Sequence, residues 1–276
     1  MGSQSQVSSL IDATTNHLTS QRGHKGYAGV SDYLTDVGRG VVEGTDVFNA
    51  LGYVDIVNAQ SAWDVWQGPT AIQPEPVTAG YQPSIVSSSA NDAAAGTGIR
   101  RVNVLYLDTA GREREEAVTL NGVTAVNMVA TNVMFIQCMH AIEVGSGLIA
   151  AGNIDARNGV TVTKRIATSG NRCTSTMRQV PAGRVAYINQ FVVSSSSNAA
   201  DNSQEIKLRL RTTNMGDVVY PGIYLFKKSV TPVQTGLVVP INPPLRVPPL
   251  ATIKVSAWTL GTGAADASWS GWLENI

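Results

Sequence analysis

Ile206-Lys207-Leu208-Arg209-Leu210-Arg211 alternates apolar and basic residues without a break. A period of two puts Ile206, Leu208 and Leu210 on one face of a strand and Lys207, Arg209 and Arg211 on the other. The same reading extends in both directions. Downstream, strands are predicted at Val218–Lys228, Leu237–Pro240, Thr252–Trp258 and Ala267–Trp272. The prolines at 240, 243, 244, 248 and 249 cannot sit in a central strand, so residues 240–249 are expected at a covered edge or in a connecting loop. Upstream, Val180-Pro181-Ala182-Gly183 is a turn into a strand over Arg184–Ser194, and Ser194–Ser203 reads as a polar loop.

A first series of strands precedes this one. Arg101–Leu107 alternates, Asp108-Thr109-Ala110-Gly111 turns, and Glu113–Leu120 returns. Asn121-Gly122 is a two-residue hairpin signal leading into Val123–Val126. Met134–Val144, Leu148–Ala156 and Val160–Arg165 follow. No segment after residue 84 sustains a 3.6-residue apolar period, which argues against a βαβ architecture and most cofactor-binding enzyme folds. The expected class is all-β: two antiparallel, jelly-roll-like sandwich modules, over 84–170 and 171–276, preceded by an extended N-terminal arm over 1–83. Within that arm, Thr45-Asp46 before Val47, Phe48, Ala50 and Leu51 predicts a short capped helix ended by Gly52. Pro69, Pro74, Pro76 and Pro83 then impose extended chain. Such an arm gains order only by lying on something else.

The chain has 276 residues, only 14% charged, with 20 basic and 20 acidic side chains. The zero net charge hides a segregation. Residues 26–99 hold Arg39 against eight acidic residues, a balance of −7, whereas residues 100–276 hold 17 basic and 11 acidic, a balance of +6. Opposite segments attract within a chain or between subunits. Neutrality argues against a nucleic-acid coat, and no apolar run is long enough for a membrane span, so neither nucleic acid nor membrane is an expected partner. The first residues, MGSQSQVSSL, lack the basic and apolar regions of a secretory signal.

Chemistry-bearing residues are sparse. His17 and His24 lie in the polar arm without acidic partners at useful spacing. Cys138 and His140 share a strand face, but a zinc site needs two more ligands, and a Cys138–Cys173 bridge is possible without being implied. Glu113 and Glu115 share a face and match paired carboxylates only by type, so a solvated edge protected by its charges is the preferred reading over glycoside hydrolysis. Gly96-Thr97-Gly98 precedes a strand instead of following one, so it is a loop and not a dinucleotide site. No cofactor, metal or catalytic set is expected. The candidate interface residues are Trp63, Trp66, Lys207, Arg209 and Arg211: the tryptophans as docking anchors, the basic ladder as a protein contact.

Several motifs together are more specific. Asp64-Val65-Trp66-x-Gly68, the run Ser89-x-x-Asp92-x-Ala94-Ala95-Gly96-Thr97-Gly98-x-Arg100, Leu107-Asp108, Glu116-x-Val118-Thr119-Leu120-Asn121-Gly122-x-Thr124-Ala125-Val126 and Val180-Pro181-Ala182-Gly183 resemble those of a group of virion structural proteins of tailed bacteriophages. The likeness spans roughly residues 60–270 and carries no catalytic residue. It implies a non-enzymatic virion component, assembled in the host cytoplasm. The expected type is a capsid cement or decoration protein, its partners the major capsid protein and copies of itself in a homotrimer. A tail or head-fibre component is the alternative. On this reading the arm straps subunits together, and removing residues 1–66 should abolish capsid binding while leaving the sandwiches folded.

Overall fold

The computed structural model describes residues 33–57, 61–197, 206–231, 236–259 and 262–276. His17, His24 and most of the Ser194–Ser203 loop lie outside the described residues. One short helix, α1 (Tyr33–Gly38), leads into β1 (Thr45–Ile56) and β2 (Ser61–Asp64). Seven strands follow: β3 (Ser84–Ser87), β4 (Ile99–Asp108), β5 (Glu113–Thr119), β6 (Val126–Asn127), β7 (Val133–Val144), β8 (Ile154–Asn158) and β9 (Thr161–Ile166). The rest are β10 (Arg178–Gln179), β11 (Arg184–Ser197), β12 (Ile206–Thr212), β13 (Asn214–Met215), β14 (Val218–Val219), β15 (Leu225–Val230), β16 (Leu237–Val247), β17 (Thr252–Thr259) and β18 (Gly263–Asn275). The fold is all-β, as the alternation predicts.

Two sheets, ordered β1-β18-β11-β16 and β10-β17-β12-β15, enclose one core. β2 also pairs with β17, along the side that β10 takes, so the second sheet has five strands. With β2 and β10 taken as two halves of one strand, the eight positions counted in chain order read first-eighth-third-sixth and second-seventh-fourth-fifth, all neighbours antiparallel. That order is a jelly roll. Its core packs Phe191, Leu208, Leu210, Val255 and Trp269 between the sheets. β12 shows the expected alternation, with Ile206, Leu208 and Leu210 buried. The proline-rich β16 occupies a sheet edge, where its missing N–H groups cost no ladder bonds.

The second strand of the jelly roll is split into β2 and β10, and a second sandwich is inserted between them. Sheets β6-β3-β8-β9 and β5-β4-β7 enclose their own core of Ile85, Val102, Val104, Ile136, Met139 and Ile154. The two ends of this insertion meet, because the Gln67 N–H donates to Thr174 O at 3.1 Å and the Thr176 N–H to Val65 O at 3.1 Å.

Residues 45–66 therefore differ from the sequence-based expectation. The predicted helix is the 12-residue strand β1, in unbroken register with β18 from Thr45↔Glu274 to Ile56↔Gly263. Phe48, Ala50, Val54 and Ile56 alternate into the core, and Phe48 meets Trp269 edge-on at 5.2 Å. Period two wins over local capping signals because β18 supplies a partner edge and an apolar face to cover. Gly52 does not end a helix. It lies where the chain at Val65 crosses β1, and a Cβ there would stand 2.2 Å from Val65 O. The jelly roll thus draws its first strand from the stretch read as an arm. Removing residues 1–66 would open its sheet instead of leaving it folded.

The Asn121-Gly122 hairpin is also corrected. β5 pairs only with β4, and after Gly122 the chain crosses to the other sheet, where β6 pairs with β3. Gly122, at φ 58°, donates to Asp92 O at 2.8 Å and accepts from the Ser87 N–H at 3.0 Å. The turn serves the sheet-to-sheet crossing instead of a hairpin.

Gly52→Val should lower the urea midpoint by the equivalent of about 2 kcal/mol or more, since neither backbone nor core can yield at this crossing. Leu51→Ser, at a 56% exposed neighbour, should leave the midpoint nearly unchanged.

Candidate functional site

The motif residues are structural keystones. Asp64, 1% exposed, ends β2 and accepts hydrogen bonds from Lys254 Nζ at 3.0 Å, Ser256 Oγ at 2.8 Å and the Gln73 N–H at 3.0 Å. Trp66 is fully buried, its indole donating to Thr70 O at 2.9 Å. Gly68 lies against the Trp66 ring, where a Cβ would come within 2.0 Å. Asp92 does the same for the inserted sandwich. Fully buried, it accepts from Ser87 Oγ and from the N–H groups of Ile99, Ala151 and Gly152 at 2.6–3.0 Å. A Cβ on Gly98 would strike that carboxylate at 2.1 Å. These spacings hold loops together.

The predicted interface residues divide. Trp66 is buried within the chain and Trp63 is half-buried against the jelly-roll core. Lys207, Arg209 and Arg211 stand on the outer face of β12, as the alternation requires. They form one stack with aromatics: Lys207 Nζ lies 5.7 Å from the Trp258 ring centre, and Arg209 and Arg211 each lie 4.7 Å from that of Phe226. Cation–π contact holds this row in place. Burial, partly offset by Asp64, pulls the Arg211 pKa below its usual value.

Beside the ladder lies a feature that no single-strand pattern announces. β12 packs near β11 and β17 near β18, so the edge strands β15 and β16 share one flank of the sandwich. Val218, Ile223, Phe226, Leu237 and Val238 are all exposed along this part of the chain. The strands are short or interrupted here, so a period count finds no buried face.

The remaining candidates are dispersed. Cys138 and Cys173 form a disulfide with Cα atoms 5.9 Å apart, so Cys138 is no metal ligand. No cluster of three metal-ligating side chains occurs among the described residues. Glu116 accepts from the Val129 and Ala130 N–H groups, whereas Glu113 and Glu115 look into a cleft of about 470 Å³ between β5 and β1. Burial raises the Glu113 pKa, with Arg184 and Arg178 opposing.

Next to this cleft the two sandwiches are joined by a buried polar relay. Gln73 Nε2 donates to Thr163 O at 3.1 Å and Ser175 Oγ to Gln73 Oε1 at 2.7 Å. Lys164 Nζ then donates to Ser175 Oγ at 2.9 Å and Met177 O at 3.0 Å, and stands over the Phe135 ring at 5.1 Å. Lys164 is 1% exposed, and no carboxylate pairs with it among the described residues. Burial, with Arg178 adding repulsion, puts its pKa well below 10.5.

No family model matches the chain, and no curated protein matches it. Among solved structures it is similar, at 11% identity and a TM-score of 0.23, to a structure of infectious bursal disease virus Gt strain, covering 84% of this chain and 71% of that one. It is also similar to naturally occurring empty particles of cowpea mosaic virus, at 9% identity and a TM-score of 0.20, covering 76% and 91%. Scores this low give these likenesses no weight. The strand order itself defines the class: a jelly-roll protein with an inserted β-sandwich.

Lys164 makes stability depend on pH with a fixed sign. Its pKa is depressed in the folded state, so the unfolded chain binds the extra proton between that value and 10.5. Stability from this group therefore rises with pH across that window and is lost as pH falls through it. Lys164→Met should remove this slope. In urea titrations at stepped pH, the difference between wild type and variant should move in favour of wild type as pH rises.

Proposed function

We propose that the chain is a structural component of a virion, and specifically a cement protein on the outer shell of a tailed bacteriophage. It acts without chemistry, by burying surface against the major capsid protein and against copies of itself in a homotrimer. The observation that carries this reading is the flank formed by β15 and β16. Two edge strands there leave backbone groups unpaired beside exposed Phe226, Ile223, Leu237 and Val238. An apolar patch on open sheet edges suits a surface made to be covered. The ladder Lys207, Arg209 and Arg211 adjoins it, and arginine stacked on an aromatic ring is a preferred interface group. The sequence motifs shared with tailed-phage virion proteins support the same role.

Strapping by residues 45–66 is not part of this proposal, because those residues close their own jelly roll. Shell contact is assigned to the flank.

Phe226→Asp combined with Ile223→Asp should abolish co-sedimentation with expanded capsid shells, while the far-ultraviolet circular dichroism and melting of the free chain stay near wild type. Gold-labelled particles should carry signal over the whole head. Signal confined to one vertex would instead identify a tail or fibre component, and unimpaired shell binding by the double variant would remove the flank from the contact.

A further inference from the structure

The cleft between the sandwiches contains an arginine whose position the fold does not explain. Arg178 is 8% exposed, its Nε is buried with no hydrogen-bond partner, and it forms no salt bridge among the described residues. A buried guanidinium left this way is costly unless something else completes it. The backbone around it is rigid. β10 pairs Arg178 with Ile253, and the next residue is locked to the inserted sandwich, with the Gln179 N–H donating to Gln137 Oε1 at 3.2 Å and Gln137 Nε2 donating to Gln179 O. Arg172, from the segment leaving the insertion, lines the same cleft and adds a second positive charge.

The same cleft also carries acceptors. Glu113 and Glu115 from β5 and Asn49 from β1 line it, all exposed, and Glu113 offsets part of the Arg178 charge. Of these, Glu115 accepts one hydrogen bond, from Asn103 Nδ2 at 3.0 Å, and keeps further lone pairs for a guest. Val47 and Leu105 add apolar surface. The volume, about 470 Å³, lies in the range of small-molecule sites.

We propose that this cleft binds a small hydroxylated carboxylic acid of the uronic-acid type. The carboxylate pairs with the Arg178 fork, assisted by Arg172, and the hydroxyls donate to Glu113, Glu115 and Asn49. Two charge properties select this class. The guanidinium, its Nε unpaired and its charge offset only in part by Glu113, suits a planar, bidentate anion. Glu113 and Glu115, lining the same cleft, repel a multiply charged anion such as phosphate more than a singly charged one, and accept hydroxyl donors from the guest. Shell contact by the β15–β16 flank plays no part in this site.

The test titrates the full chain with sodium galacturonate, glucose, acetate and sulfate, observed by calorimetry or by shifts of backbone amide signals. Galacturonate should bind at least about tenfold more tightly than acetate, sulfate or glucose. Arg178→Gln should weaken it by about tenfold or more. Asn49→Trp, an exposed substitution on β1 that fills the cleft mouth, should abolish binding in a chain that melts as wild type does, which separates loss of the site from loss of the fold. No binding of galacturonate, equal binding of acetate or sulfate, or binding unchanged in the folded Asn49→Trp chain would each overturn the assignment.

Discussion

The buried ion pair between Asp64 and Lys254 is the constraint from which the arrangement of the molecule follows. The two side chains are 1% and 4% exposed, and their 3.0 Å contact lies on the outer face of the β17 sheet, under the chain that leads into the inserted sandwich. Removing two charges from water is unfavourable unless every remaining lone pair and proton is used. Asp64 meets that condition only if Ser256 and the Gln73 N–H are in place, and Lys254 is completed by Glu75 and the Tyr224 ring at 3.8 Å. The segment 64–75 is thereby fixed on the jelly roll. Gln73 passes the constraint on, through Thr163 and Ser175, to Lys164 in β9. A partly satisfied relay would be worse than none. The pose of one sandwich on the other is therefore tied to the satisfaction of these polar groups, and the cleft around Arg178 inherits its shape from that pose.

A jelly roll whose first and last strands pair across more than two hundred residues faces a loop-closure cost. The insertion reduces it. A module with its own core brings its two ends together, and these ends hydrogen-bond each other at Gln67–Thr174 and Val65–Thr176. For the jelly roll, the insertion acts as a short connection between β2 and β10, the two segments paired with β17. The close approach demanded there explains why Gly52 stands in mid-strand: backbone must pass within contact distance of Val65 and Thr176.

What could be read from residues alone follows the same physics. β12 and β4 were legible because each covers one face of a core and leaves the other polar or half-buried, and β7 because its largely apolar run, Val133–Met139, is buried on both faces. β1 was not, because Gly52 and the Thr45-Asp46 pair imitate helix boundaries, and only a partner edge more than two hundred residues away shows their real role. The candidate site was partly legible. The basic ladder follows from a period of two, whereas its stacking on Phe226 and Trp258 depends on strand neighbours from distant sequence. Arg178 carried no signal at all. Met177-Arg178-Gln179-Val180 has no alternation, and all four side chains are buried because two sandwiches converge on them.

The charge segregation along the sequence takes on a definite meaning in this fold. Asp46 pairs with Arg184 at 2.7 Å, and Asp64 and Glu75 both pair with Lys254, so the acidic segment spends three of its carboxylates on the basic body of the same chain. That attraction is internal and is unavailable for holding copies of the protein together. Exposed apolar side chains occur at several places on the described surface, and on the β15–β16 flank they stand beside a row of cations already stacked on aromatic rings. A contact built from those elements draws its strength from apolar area and close packing, which salt screens weakly, and takes its specificity from the arginine row at its border. Neutral overall charge costs such a surface nothing in affinity, and under the proposed role it would spare neighbouring copies the mutual repulsion that a highly charged chain imposes.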